Sequence, residues 1–200
     1  MSGGTLSRDT IIPFIADIFR RRGAESYLGE AVTMSEHMLQ GAFFATRDGA
    51  SDELVAAALL HDIGHYTNEF GEDYIEQGID NLHDEAGARV LEGFFPQVVV
   101  ACVRLHVAAK RYLCTTDPTY FDKLSPASVA TLKLQGGPMS RIEVAEFQKN
   151  TFHQEAVRVR LWDEAGKVPG MKTPPFDYYA PLLQRVVDRH MAGKGVRASH

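Results

Sequence analysis

The residues best equipped for chemistry in this chain form the run His61-Asp62-Ile63-Gly64-His65. An adjacent His-Asp at a helix C-terminus can aim an imidazole nitrogen and a carboxylate oxygen at one point. The glycine that follows lets the backbone turn away without a Cβ clash. The dipeptide alone is a weak signal, and the remaining histidines strengthen it: His37, His61, His83 and His106 are separated by 24, 22 and 23 residues. Each interval holds one helix and one connection, so neighbouring helices can each deliver an imidazole to the interior of a bundle, as bundle metal sites require. A single histidine on an apolar helix is more often a core or surface residue than a ligand. Four so spaced, one of them beside an aspartate, favour a metal. Asp163 on its own reads as an N-cap or a surface acid and gains weight only as the sixth member of this set. His153 sits in a charged stretch, and His190 and His200 read as solvated.

Four imidazoles and two carboxylates exceed the needs of one ion when water or substrate must also bind. With Asp62 bridging, they divide into a two-metal centre with ions about 3.5–4 Å apart. Nitrogen and oxygen donors without thiolate admit Fe, Mn, Zn or Mg, and spacing does not choose among them. The only cysteines are Cys102 and Cys114, which excludes a disulfide framework and a CxxC metal site.

The elements that must carry these residues are helical, with apolar positions three and four apart. Ile11, Ile12, Ile15, Ile18 and Phe19 mark a first helix ending at Gly23, and Met34, Met38, Leu39, Ala42, Phe43 and Ala45 a second. Ser51 caps a third, which runs through Leu54, Ala57 and His61 and is closed by Gly64. Further helices are expected at 83–94, 97–112, 126–134 (with Pro126 at the first position), 140–149, 151–158 and 176–191, with loops at 66–80, 114–125 and 164–175. The expected fold is all-α, a single domain over residues 1–200 with its core at about 10–190 and frayed ends. The length of 200 residues and 44% hydrophobic content suffice for one sizeable core. A formal charge of −5 and a pI near 5.9 argue against nucleic-acid or membrane binding through bulk charge. Apolar runs such as Val98–Val103 are too short to span a bilayer, and Met1–Thr10 has no signal-peptide core, so a soluble, cytoplasmic protein is expected.

His37, His61-Asp62 and Asp163 resemble the His…HisAsp…Asp pattern of the HD-domain superfamily, and the added His83 and His106 resemble its dinuclear members. Longer motifs narrow the resemblance: Tyr27-Leu28-Gly29-Glu30-Ala31, His61–Tyr66, His106–Leu113, Gln135–Met139 and Arg160–Glu164. In this order, over about residues 10–190, they are similar to the HD-domain diiron oxygenases of phosphonate breakdown. That resemblance implies an HD-domain bundle with a mixed-valence Fe(II)/Fe(III) pair that binds a 1-hydroxyphosphonate through its hydroxyl and phosphonate oxygens. Dioxygen is the co-substrate, hydrogen is removed from the hydroxylated carbon, and phosphate and a carboxylate are released. It further implies that His37, His61, Asp62 and Asp163 hold one iron while Asp62, His83 and His106 hold the other. Tyr27 would fill the open position of the second iron before substrate arrives, and Glu30 would face the substrate's amino end. A 2-oxoglutarate-dependent hydroxylase is implied as the upstream pathway partner.

A phosphonate carries up to two negative charges, and His65, Lys110 and Arg160 stand beside the ligands His61, His106 and Asp163. On a helix Lys110 shares a face with His106, as Arg160 does with Asp163 if that segment is helical; the hydroxyls of Ser128 and Thr131 can complete an anion cradle. For each of these a solvated face or a purely local hydrogen bond is the competing reading. At the amino end, Glu30 can meet a primary or a quaternary ammonium, and Tyr27, Tyr66, Phe70 or Tyr74 can add cation-π contacts worth roughly 0.5–2 kcal/mol. The preferred substrate is (R)-1-hydroxy-2-(trimethylammonio)ethylphosphonate, giving glycine betaine, ahead of (R)-2-amino-1-hydroxyethylphosphonate, giving glycine. A metal-dependent phosphohydrolase and a non-catalytic binding module are the rival classes.

Overall fold

The computed structural model describes residues 6–67 and 82–197, the side chains of 195–197 excepted. Among the described residues there are nine α-helices and no strand: α1 (Ile11–Arg22), α2 (Met34–Arg47), α3 (Asp52–Leu60), α4 (His83–Leu91), α5 (Gln97–Thr116), α6 (Pro126–Leu134), α7 (Arg141–Gln148), α8 (His153–Ala165) and α9 (Phe176–Arg197).

The centre of the bundle is α3, where every residue from Leu54 to Leu60 is buried. A helix apolar on all sides must be covered on all sides, and α2, α5, α8 and α9 pack around it. Ser51 fixes its start, Oγ accepting the Leu54 N–H at 3.4 Å. Its C-terminus therefore delivers His61 and Asp62 to the middle of the protein, where α2, α4, α5 and α8 converge. Other helix starts follow their sequences: Thr33 and Glu36 close a capping box on α2, Ser140 and Glu143 one on α7, and Ser125 caps α6 ahead of Pro126.

Several expectations about element ends are corrected. The helix expected at 151–158 is α8, which continues to Ala165; its inward face carries Arg160 and Asp163 where an apolar period was sought. The loop expected from 164 accordingly begins at Gly166. Helix α5 runs four residues past 112, so Cys114 lies within it, and α4 ends at Leu91 rather than 94. Helix α3 stops at Leu60, and a 3-10 turn over Ile63–Tyr66 follows. Gly64 does not act there by permitting a reversal. A Cβ on it would stand 1.8 Å from the His83 carbonyl oxygen and 2.7 Å from the Gly87 nitrogen, so its role is close approach to α4. The loop expected at 66–80, with Phe70 and Tyr74, and His200 lie largely or wholly outside the described residues.

The segment between α1 and α2 is the second special backbone feature. Glu30 N–H donates to the Tyr27 carbonyl at 2.7 Å while Leu28 (φ 51) and Gly29 (φ 78) occupy the left-handed region. This is a type I′ turn, one residue of which is a leucine, at a cost of order 1 kcal/mol or more. Leu28 sustains this because a bridge between Ser26 and Thr33 closes the loop behind the turn. The turn places Tyr27 and Glu30 on the same pocket as the His-Asp pair.

Candidate metal centre and its pocket

Buried side chains from four helices and the end of α3 meet in two sets of ligand atoms. In the first, His37 Nε2 lies 3.0 Å from His61 Nε2, 3.4 Å from Asp62 Oδ2 and 3.4 Å from Asp163 Oδ1; His61 Nε2 lies 3.4 and 3.7 Å from the same two oxygens. In the second, His83 Nε2 and His106 Nε2 are 3.1 Å apart and stand 3.4 and 3.3 Å from Asp62 Oδ1. Asp62 thus gives one oxygen to each set, as a bridging carboxylate does.

These contacts cannot be satisfied among themselves. The Nδ1 atoms of His37, His61 and His106 face the carbonyls of Gly166, Ala58 and Val103 at 2.9, 2.9 and 2.7 Å. A carbonyl only accepts, so each ring carries its proton on Nδ1 and turns an Nε2 lone pair to the centre. His37 and His61 then confront one another lone pair to lone pair, while Asp62 Oδ2 and Asp163 Oδ1 are buried without a hydrogen-bond partner. Burial lowers the basicity of His61, but Asp62 and Asp163 outweigh it and raise its pKa to about 9. The cluster requires positive charge at its middle, and metal ions provide it where a proton otherwise would. The donor set of four imidazoles and two carboxylates fits such ions.

The pocket above these atoms is lined by Tyr27, Glu30, His65, Lys110, Ser128, Thr131, Gln135, Arg160 and Lys167. Tyr27 is buried with its ring stacked on His37, centroids 3.9 Å apart, and burial with the nearby Asp62 and Asp163 charges keeps its phenol protonated. The ring thus lies against His37 of the first ligand set, while its phenol is near Asp62, the residue that both sets share. His65 stacks on His83 at 4.1 Å, and burial pulls it down to about 4, so it faces the pocket as a neutral imidazole. Glu30 Oε1 is buried and has no hydrogen-bond partner, and neither has Gln135 Oε1.

Lys110 is 3% exposed, which rules out a solvated basic face. Its ammonium donates to Thr131 Oγ1 at 2.9 Å, no carboxylate among the described residues lies within ion-pair distance, and burial pulls its pKa down to about 7. Arg160 differs, because its donors are already engaged by Tyr120 Oη at 2.7 Å, by Asp163 Oδ2 and by Glu164 Oε2. It orients the candidate ligand Asp163 as much as it offers charge to the pocket. Ser128 Oγ donates to Glu164 at 3.2 Å and accepts from Lys167 at 2.7 Å, so its hydroxyl is held by neighbours as well as facing the cavity. Tyr66 does not line the pocket; its ring packs near Phe19 and under Arg22. His153 starts α8 with Nδ1 on the Asn150 carbonyl, away from the centre.

Lys167 and Gln135 complete the pocket wall, with Glu164 and Tyr120 behind it on Lys167 and Arg160, and none of the four was assigned a role by sequence. Of these, Gln135 and Glu164 carried a signal, as the first residue of Gln135–Met139 and the last of Arg160–Glu164, while Tyr120 and Lys167 carried none.

The HD domain family matches residues 34–163 of the chain, a span that begins just ahead of His37 and ends on Asp163. The chain is 57% identical over 186 residues to the [1-hydroxy-2-(trimethylamino)ethyl]phosphonate dioxygenase (glycine-betaine-forming) of Leisingera caerulea, covering 93% of this chain and 95% of that protein. It is 44% identical over 156 residues to the hydroxymethylphosphonate dioxygenase of Gimesia maris, covering 78% of each. With two ligand sets joined at the His-Asp pair and the matched span enclosing them, this chain belongs to the HD-domain family.

Proposed function

We propose that this protein is a dioxygenase that cleaves the carbon-phosphorus bond of [1-hydroxy-2-(trimethylammonio)ethyl]phosphonate, releasing glycine betaine and phosphate. The reaction balances with O2 alone: the carbon loses its hydrogen and its bond to phosphorus, one oxygen atom enters the carboxylate and the other the phosphate. No external reductant is consumed. Both named relatives act on phosphonates, which supports the reaction class. The observation that carries the substrate is a pocket with unmatched charge of both signs. Among the described residues, Lys110 is a buried ammonium without a carboxylate partner, and Glu30 has a buried carboxylate oxygen without a donor. A zwitterion with an anionic phosphonate at one end and a cationic nitrogen at the other relieves both.

We assign the two ions as an Fe(II)/Fe(III) pair, held by His37, His61, Asp62 and Asp163 and by Asp62, His83 and His106. Nitrogen and oxygen ligation suits iron, and a reaction with O2 calls for a redox-active metal. Such a pair supplies Lewis acidity toward the substrate's hydroxyl and phosphonate oxygens and the electrons through which dioxygen is engaged. The chain does the rest. Lys110 and Thr131 bind phosphonate oxygens, and Arg160 fixes Asp163 while adding positive potential. His65 presents an uncharged imidazole beside Asp62 that can hydrogen-bond the substrate's oxygens. Tyr27 closes the site over His37, and Glu30 faces the cationic nitrogen. We further propose that the chain works as one domain in the cytoplasm; both cysteines are free thiols, and no helix among the described residues is long and apolar enough to cross a membrane. The hydroxyl next to phosphorus must be installed first, which calls for an oxidative hydroxylation upstream, of the 2-oxoglutarate-dependent kind.

A second reading, the unmethylated 2-amino-1-hydroxyethylphosphonate, is favoured by one observation. Glu30 Oε1 and Gln135 Oε1 are both orphaned acceptors, and a primary ammonium has N–H groups for both. Steady-state kinetics on the two substrates and on hydroxymethylphosphonate, which lacks the cationic end, separates the cases. The trimethylated compound is expected to show the higher kcat/KM. Glu30→Gln is expected to raise KM for both cationic substrates about tenfold, the cost of one charged contact, and to leave hydroxymethylphosphonate unchanged. An unchanged KM for the cationic substrates in this variant removes Glu30 from their recognition.

A further inference from the structure

Lys167 follows the last turn of α8 on a segment fixed at both ends. The Gly166 carbonyl accepts from His37 Nδ1 at 2.9 Å, and the side-chain amide of buried Gln40 clamps the next residue, donating to the Val168 carbonyl and accepting from its N–H, each at 2.9 Å. The segment lies so tightly on α2 that a Cβ on Gly166 would stand 3.0 Å from the His37 carbonyl oxygen. With little backbone freedom, Lys167 lays its side chain into the pocket wall, where it is only 8% exposed. Its ammonium donates to Ser128 Oγ at 2.7 Å and to Glu164 Oε2 at 3.0 Å, and stands 6.0 Å from the centre of the Tyr27 ring.

Two features separate this lysine from an ordinary ion pair. Its carboxylate is shared, because the same Glu164 oxygen also accepts from Arg160 and from the Ser128 hydroxyl. Among the described residues, the carboxylates that pair with Arg160 and Lys167 at this end of the pocket are Asp163 and Glu164, and Lys110 beside them has none. The second feature is register. Lys110 bonds Thr131 and Lys167 bonds Ser128, residues one turn apart on α6, so the two ammonium groups bracket a single turn of that helix. Each ammonium has three N–H groups, and these bonds use one of Lys110's and two of Lys167's.

We propose that Lys167 is a binding residue for the anionic group of the substrate, paired with Lys110 across one turn of α6 and held in readiness by Glu164. The assignment rests on the phosphonate reading of the pocket. Glu164 is the internal counter-ion of Lys167, keeping it in the wall when no anion is bound. The incoming phosphonate takes the remaining N–H and competes with Glu164 for the others. Lys167 thereby favours substrates whose anionic group carries two charges over those that carry one.

The test uses inorganic phosphate as probe, titrated calorimetrically into iron-loaded wild type, Lys167→Met, Lys167→Gln and Lys167→Arg. The neutral variants are expected to weaken phosphate about tenfold or more, the loss of a charge-assisted hydrogen bond. KM for the hydroxyphosphonate should rise in parallel while kcat changes less, iron content should stay at the wild-type level, and Lys167→Arg should recover most of the affinity. Should Lys167→Met fold poorly, Lys167→Gln, which keeps polar contact with Ser128 and Glu164, carries the comparison. Wild-type phosphate affinity in the neutral variants overturns the assignment. So does a loss of affinity matched by loss of iron in all three variants, because displacement of His37 through Gly166 then explains it. If wild type binds phosphate but does not couple its release to oxygen, the phosphonate reading fails while the titration still judges Lys167. If wild type binds no phosphate, both fall.

Discussion

Asp62→Asn is expected to abolish binding of both metal ions and with it turnover. The side chain keeps its size, so the effect isolates charge and ligation. Asp62 Oδ2 belongs to the set of His37, His61 and Asp163, and Oδ1 to that of His83 and His106. An amide offers one poor ligand oxygen in place of two anionic ones and turns an NH2 group toward one of the two sets. His61→Ala, by contrast, removes a ligand from one set only. Iron analysis of protein purified without added metal should find neither ion in Asp62→Asn and should find the second site partly retained in His61→Ala. Loss of a catalytic metal lowers kcat by at least about a thousandfold, since both Lewis acidity and redox capacity vanish. Full iron in Asp62→Asn, with turnover, would remove the bridging role.

Lys110→Met separates binding from folding. Removing the charged contact is expected to lower kcat/KM for the phosphonate about a hundredfold, the scale of one or two charge-assisted hydrogen bonds in a dry pocket. The same substitution should raise the melting temperature of phosphate-free protein, because it removes a buried ammonium whose one bonded partner among the described residues is a hydroxyl. The pH dependence follows from the sign of the shift. Burial lowers the lysine's pKa to about 7, so between about pH 7 and its ordinary value near 10.5 the unfolded chain holds a proton that the folded chain does not. This group's contribution therefore makes the phosphate-free protein more stable as pH rises through that window, and Lys110→Met should flatten the rise. Thermal melts with and without phosphate measure both effects. Equal melting temperatures and equal kcat/KM would place Lys110 outside the anion site.

The histidine spacing was readable because each interval spans one helix and its connection, so periodicity alone aligned His37, His61, His83 and His106. Lys110 was readable for a related reason, since it follows a ligand at helical spacing. Asp163 and Arg160 were less so. They sit on the inward face of α8, where charged side chains replace the apolar period that marks a buried helix, and the helix accordingly looked shorter than it is. Lys167 lies beyond the helix end, where no period operates, and its direction is set by Gln40 and His37, residues about 130 positions earlier in the chain, at separations of 128 and 129 for the hydrogen bonds themselves. The Tyr27–Glu30 turn was opaque for a local reason. A type I′ turn is announced by Asn-Gly or Asp-Gly, and here its first central residue is a leucine at φ 51. Gly64 was identified, but its purpose was not: contact with the His83 carbonyl is a tertiary fact that the local sequence does not encode.

The proposed reaction couples dioxygen to carbon-phosphorus cleavage at the Asp62-bridged centre. Oxygen uptake and phosphate release, followed together on anaerobically iron-loaded protein given each enantiomer of the trimethylated hydroxyphosphonate, test it most directly. One phosphate released per O2 consumed is expected, with no phosphate under anaerobic conditions. Phosphate release that continues unchanged without oxygen would mean attack on phosphorus by a hydrolytic metal centre and would contradict it.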